Sequence, residues 1–161
     1  MPDPISTIAR DIDAPPLRIV STPGRPSITP ASRICLLTVD RHPHLLKGSG
    51  IDWGSGTGIL AVAAATHPGV KLVVGLEFSA GETVTARTNA ELNGVADRTA
   101  FLVADSYQPL PDQNTSVLDS LRGAAGFLIA NPPASDGDDG LGWRRRVLRE
   151  GLPYLRPGSN V

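Results

Sequence analysis

An open, mostly parallel α/β sheet with helices layered on both faces is the fold class this sequence predicts, and three observations predict it. Short apolar runs recur at Gly50–Trp53, Lys71–Glu77, Ala100–Ala104 and Gly126–Ala130, each of a length suited to a buried strand. Helix-patterned segments lie between them, and strands alternating with helices fold through right-handed crossovers onto one sheet. The chain has 161 residues, 40% of them hydrophobic, which is the size of one ordinary domain with one core.

The elements follow in order. Ile5, Ile8, Ala9 and Ile12 stand at i, i+3, i+4 and i+7, a stripe that predicts a short helix over 3–13 with Asp3 as its cap. Five prolines between Ala14 and Pro30 predict an extended connector, with one short strand at Leu17–Val20. Thr29-Pro30 reads as a cap followed by proline at the first helical position, opening a helix through Ile34, Leu37 and Val39 that ends near His42-Pro43. After the first core strand come a glycine turn at Gly54–Gly58 and an apolar helix from Ile59 to Thr66, stopped by Pro68-Gly69. The second strand leads to a helix over Ala80–Asn93, closed by Gly94. A helix over Asn114–Arg122 follows the third strand, and another over Gly142–Tyr154 follows the fourth.

Composition narrows the function classes. Fifteen Lys+Arg against sixteen Asp+Glu leave a net charge of -1, so no overall cationic field gathers nucleic acid, and such a partner would need a local patch. One cysteine, Cys35, cannot close an internal disulfide; no secretory layout follows Met1, and no apolar run approaches the ~20 residues of a membrane span, so a cytoplasmic setting is expected.

In an open parallel sheet, ligands sit beyond the carboxyl ends of the strands, so the residues that follow each strand are the candidates. They are Asp52 with Gly54-Ser55-Gly56-Thr57-Gly58, then Glu77-Phe78, then Asp105-Ser106, then Asn131-Pro132-Pro133. Glycines remove Cβ atoms where backbone must approach a ligand, although a glycine turn alone also suits a tight strand-to-helix connection. Glu77, nineteen residues beyond Gly58, can accept from both hydroxyls of a ribose. The turn reads G-x-G-x-G, with Ile59 where a dinucleotide fold wants its third glycine, and Asp52 precedes it. A carboxylate there suits an ammonium or sulfonium group better than a pyrophosphate.

Together, Ile51-Asp52-Trp53-Gly54-Ser55-Gly56-Thr57-Gly58, Glu77, Asp105 and Asn131-Pro132-Pro133 resemble the class I S-adenosylmethionine-dependent methyltransferases, over roughly Gly48 to Pro157. The Asn-Pro-Pro motif resembles the small-domain group that methylates planar nitrogens. The resemblance implies a Rossmann-like three-layer α/β/α sandwich with strand order 3-2-1-4, and S-adenosyl-L-methionine as cofactor. It implies that Gly54, Gly56 and Gly58 pack under that cofactor and that Asp52 lies near its methionine end, with Ser55 in the same loop. Glu77 would hold the ribose, Phe78 would pack on adenine, and Asp105, beside Ser106, would accept from the adenine amino group. Asn131 with Pro132 and Pro133 would form the catalytic motif: the Asn131 oxygen and the Pro132 carbonyl accept the two N–H bonds of the target nitrogen and turn its lone pair toward the methyl group.

The chain departs from the family pattern in two places. Ala134 follows the Asn-Pro-Pro motif where the group carries an aromatic, and Leu155–Val161 stand where the turn into a fifth strand is expected. On this reading residues 1–47 are N-terminal helices and connector, and residues 48–161 are a C-terminally incomplete core. The fourth strand then presents an open edge: either the chain is a fragment of a longer one, or a partner or a second copy covers that edge, or the fold ends differently from the family. The function expected is methyl transfer to a planar nitrogen of a protein, RNA or small molecule; a cofactor-binding module without turnover and a nicotinamide-dependent dehydrogenase are the alternatives. No metal is expected, His42-Pro43-His44 reading as a polar loop and Asp136–Gly140 as a solvated loop or acidic lid. Trp143-Arg144-Arg145-Arg146 with Arg149 reads as a solvated helix face or an RNA-contacting one, Thr29 and Ser32 as a helix cap able to close over the methionine end, and Cys35 as core.

Overall fold

The computed structural model describes residues 5–10, 14–21, 28–135 and 139–161. Its elements are β1 (Ile5–Ile8), β2 (Leu17–Val20), α1 (Pro30–Arg41), β3 (Gly48–Trp53), α2 (Ile59–Ala65), β4 (Val70–Glu77), α3 (Ala80–Leu92), β5 (Thr99–Asp105), β6 (Gln108–Pro109), α4 (Ser116–Asp119), β7 (Ala125–Ala130), α5 (Gly142–Gly151) and β8 (Leu155–Asn160). The main sheet runs β6-β5-β4-β3-β7-β8, parallel except for the short β5–β6 pairing. The expected order 3-2-1-4 is its centre, β5-β4-β3-β7.

The sheet is buried on both faces, which is why its central strands read as unbroken apolar runs. One face, through Val73, Phe101 and Phe127, packs on the all-buried helix α2 and on α1 and α3. The other, through Ile51, Val74, Leu76 and Leu128, packs on Leu118 of α4 and Val147 of α5. Thr29 caps α1 as expected, its hydroxyl accepting from Ser32 N at 3.1 Å. Among the described residues, no helix is long and apolar enough to cross a membrane.

Two expectations are corrected. The segment read as an N-terminal helix contains strand β1, paired antiparallel with β2 from Ile5↔Val20 to Ile8↔Leu17; Asp3 and Ile12 lie outside the described residues. β-Branched Ile5, Thr7 and Ile8 favour a pleated pairing, and Ile8, Leu17 and Ile19 bury one side of it. Helix α3 fastens the hairpin: Asn89 Oδ1 accepts from Val20 N at 2.7 Å, its Nδ2 donates to Val20 O at 3.0 Å, and Asn93 makes the same pair of bonds to Arg18.

The second correction concerns the fourth strand's edge. Residues 155–160 form β8, parallel to β7, with Ala125 opposite Leu155 and Phe127 opposite Asn160. The strand therefore covers part of the edge that was expected to need a partner. Its register shifts between those two pairs, where Pro157 lacks a donor and Gly158 sits at φ 75°, an irregularity that an outer strand tolerates.

Candidate active site

The rim at the carboxyl ends of β3, β4, β5 and β7 collects the residues the sequence singles out. Leu76 O accepts from both Gly54 N and Ser55 N at 2.9 and 3.0 Å, which folds the glycine turn back over the end of β4. Glu77 locks it: Oε2 accepts from Gly56 N and Oε1 from Ser79 N, both at 2.9 Å. Each carboxylate oxygen keeps a further lone pair for a ligand donor.

Behind this rim lies a cleft of two lobes that meet at Gly54. The first, about 450 Å³, is lined by Asp52, Ser55, Gly56, Thr29, Ser32 and Asn131-Pro132-Pro133, among others. The second, about 470 Å³, is lined by Trp53, Glu77, Phe78, Asp105, Ser106, Trp143 and Arg146, among others.

The expected glycines divide. Gly54 and Gly56 adopt φ 66° and 53°, and a Cβ on either would meet only open space, as a cradle for a ligand requires. Gly58 does different work: a Cβ there would stand 2.8 Å from Ala86 Cβ and 3.0 Å from the Phe101 ring. It lets α2 pack closely on α3 and β5. Ser55 is buried, its Oγ tucked over Gly75 and without a hydrogen-bond partner among the described residues.

Asp52 is almost wholly buried and its Oδ2 accepts from Ala61 N at 3.0 Å. Burial pushes its carboxyl up to about 7, with Glu77 adding to the rise and the Ala61 bond opposing it. The first lobe therefore holds an acid that a neighbouring cation would ionise. Asn131 Nδ2 donates to Ser32 Oγ at 3.2 Å, and Ser32 Oγ in turn shares a hydrogen bond with Thr29 Oγ1 at 2.9 Å. Thr29, the cap of α1, and Ser32 in its first turn thus both border the lobe.

In the second lobe Phe78 is 76% exposed, free to meet a planar ligand. Ser106 is buried at φ 58°, a left-handed conformation that a serine adopts at a cost. Its Oγ accepts from Trp53 Nε1 at 2.8 Å. Arg146 reaches Asp105 Oδ1 at 3.0 Å. Trp143 and Arg146, expected on a solvated or RNA-contacting face of α5, both border the cleft, their i, i+3 spacing putting them on one side of the helix. Arg145 instead pairs with Asp139, while 136–138 of the expected acidic lid lie outside the described residues. Cys35 lines an apolar cavity beside Val39 and Phe127, and burial, with the Asp52 carboxyl adding to it, pushes its thiol up, away from the thiolate a nucleophile needs.

A family model described as ribosomal protein L11 methyltransferase (PrmA) matches residues 29–121, more than half of the chain. The ribosomal protein L11 methyltransferase of Polynucleobacter necessarius is 40% identical over 67 residues, 42% of this chain and 20% of that protein. The release factor glutamine methyltransferase of Geobacter sulfurreducens is 30% identical over 131 residues, 74% of this chain and 45% of that one. The chain therefore spans less than half the length of these curated relatives. Among solved structures, the T. thermophilus 16S rRNA N2 methyltransferase in complex with AdoMet and guanosine superposes with a TM-score of 0.68 at 19% identity, over 97% of this chain and 40% of that one, a likeness of fold. The glycine turn, the acidic strand ends and the matched residues together make this chain a member of the ribosomal protein L11 methyltransferase (PrmA) family, within the class I S-adenosylmethionine-dependent methyltransferases.

Proposed function

We propose that the chain is a methyltransferase that binds S-adenosylmethionine across the two-lobed cleft and delivers the methyl group to a planar nitrogen. The observation that carries this reading is the chemistry of the first lobe. Asp52 and Glu82 line it, and neither Lys nor Arg is among the described residues that do. A pyrophosphate would meet repulsion there, whereas an ammonium or sulfonium group would find a carboxyl group to ionise. The dehydrogenase alternative loses its phosphate site by the same argument.

The residues present suit such a cofactor. Gly54 and Gly56 leave the floor of the lobe open, Glu77 offers lone pairs at the boundary between the lobes, and Phe78 and Asp105 offer a face and an acceptor to a purine. When bound, S-adenosylmethionine supplies an electrophilic methyl group on a sulfonium. The chain's own residues then orient the acceptor. Asn131 Oδ1 and the Pro132 carbonyl accept the two N–H bonds of a planar nitrogen, and two consecutive prolines hold those acceptors in place before binding. With Nδ2 engaged by Ser32, the amide presents its oxygen as the remaining polar atom. The acceptor's charge is neutralised by loss of its proton after transfer, so no strong base is required beforehand.

The names of the relatives point to ribosomal protein L11, a release factor glutamine and ribosomal RNA as acceptor classes, and we take a planar nitrogen of a translation-apparatus protein or RNA as the acceptor. Ala134, where the group carries an aromatic, favours a second reading in which the chain binds cofactor without turnover. Incubation with tritiated S-adenosylmethionine and separated ribosomal proteins and RNA tests both. Label on one fraction, abolished by Asn131→Ala, supports transfer; cofactor binding with no label on any fraction supports the second reading.

A further inference from the structure

The second lobe contains a chain of polar contacts that the motif residues alone do not explain. Ser106 Oγ accepts from the Trp53 indole at 2.8 Å, and the Ser106 side chain, with Arg146, helps hold the Glu150 carboxyl below its ordinary range. Glu150 Oε1 accepts from Arg146 Nε at 2.9 Å, and Arg146 Nη2 reaches Asp105 Oδ1 at 3.0 Å. Arg146 of α5 thus joins Glu150 of the same helix to Asp105, the immediate sequence neighbour of Ser106. The guanidinium also lies 5.8 Å from the Trp143 ring centroid, and Trp143 lies 6.1 Å from Trp53 across the lobe wall.

An exposed ion pair contributes little to stability, because water screens it. Asp105 is more than half exposed, so the pair with Arg146 does not earn its place by holding the fold. Its geometry has another consequence. A guanidinium is a planar fork with fixed donor directions. Gripped by Glu150 on one side, it holds Asp105 through one oxygen, Oδ1, and leaves the other, Oδ2, outside that pair. The left-handed backbone at Ser106 and the return of β6, where Gln108 pairs with Asp105, hold the same carboxylate from the main-chain side.

We propose that Arg146 is a positioning residue for purine recognition: through Asp105 it makes the lobe select a 6-amino purine over a 6-oxo purine, with Trp143 and Trp53 lining the space the base enters. The inference rests on the cofactor reading above. A single aimed carboxylate oxygen accepts from the amino group of adenine, whereas it meets the carbonyl oxygen of hypoxanthine as two acceptors in repulsion. An Asp105 released from Arg146 turns away from the base, and the discrimination falls.

Calorimetric titration of the full chain with S-adenosylhomocysteine and with S-inosylhomocysteine tests this. The chain should favour the adenosyl compound by about tenfold or more, the scale of one charged hydrogen bond. Arg146→Met should bring the two affinities close together at an unchanged unfolding temperature, and Arg146→Lys, which keeps a cation beside Oδ1, should restore part of the preference. Asp105→Ala should abolish it. If Asp105→Ala removes the preference while Arg146→Met keeps it, the role of α5 is overturned and the cofactor reading stands. If Asp105→Ala also keeps the preference, both the base contact and the positioning role fail. If the chain binds neither compound, the cofactor reading itself fails and takes this inference with it.

Discussion

The two lobes of the cleft are built from different material. The first is largely main chain and small residues: a glycine turn folded over Leu76 O, a proline-stiffened loop and two buried acids, Asp52 and Glu82. The second is built from large side chains on separate elements, Trp53 from β3, Phe78 after β4, Asp105 from β5, and Trp143 and Arg146 from α5. The contrast suits the proposed division of labour, since a reacting centre needs fixed geometry and close approach while a base needs faces and an edge. It also makes the lobes breakable in different ways.

The largest effect is expected in the first lobe. Gly56→Val places a β-branched side chain at φ 53° and into open cleft, so saturable binding of S-adenosylhomocysteine should vanish while the fold, read by circular dichroism, persists. Gly58→Val sharpens the point: it should lower the unfolding temperature instead, because its Cβ would collide with Ala86 and Phe101. Asn131→Ala comes next. It should cut methyl transfer by about a hundredfold or more, the scale of a misplaced reactant, with cofactor affinity nearly unchanged. Equal losses of binding and turnover would merge the roles assigned to cradle and aligning loop.

Glu77→Ala, at the boundary, should weaken the cofactor by about 1–3 kcal/mol, typical of a lost charged hydrogen-bonding partner. It also frees Gly56 N and Ser79 N, so Glu77→Gln, which retains one acceptor, should fall between. The smallest effect is one of pH. In the ligand-free chain Asp52 titrates near 7, raised by burial, and a cationic ligand favours its ionised form. Affinity should therefore rise with pH up to about 7, by at most about tenfold per pH unit, and level off above. Asp52→Asn should flatten the profile. The same raised pKa works against the ligand-free fold: the stabilisation of the protonated acid is complete below the ordinary carboxylate range and is lost as pH rises through 7. At pH 8 the ligand-free Asp52→Asn chain should thus unfold at a higher temperature than the parent.

The same division explains what the sequence made legible. The four central strands, their order and the first lobe could be read because glycine spacing, an acid at a strand end and Asn131-Pro132-Pro133 are local signals. Strand β1 could not, because Ile5 and Ile8 satisfy a helical stripe as well as a strand, and the choice is made by β2 and by Asn89 and the C-cap Asn93 of a distant helix. Strand β8 was hidden by Pro157 and Gly158, which read as punctuation until Ala125 and Phe127 give them an edge to lie against. Gly58 shares its motif with Gly54 and Gly56, and only packing separates its role from theirs. Arg146 was lost in a run of arginines, since nothing local distinguishes the one that meets Asp105 from the one that meets Asp139.

The central claim, that these two lobes together accept an adenosyl cation and not a pyrophosphate, is tested most directly by calorimetric titration with sinefungin, in competition with NADH. The account predicts saturable one-to-one binding of sinefungin, undisturbed by NADH and lost in Gly56→Val. Silence with sinefungin, or saturation by NADH, would contradict it.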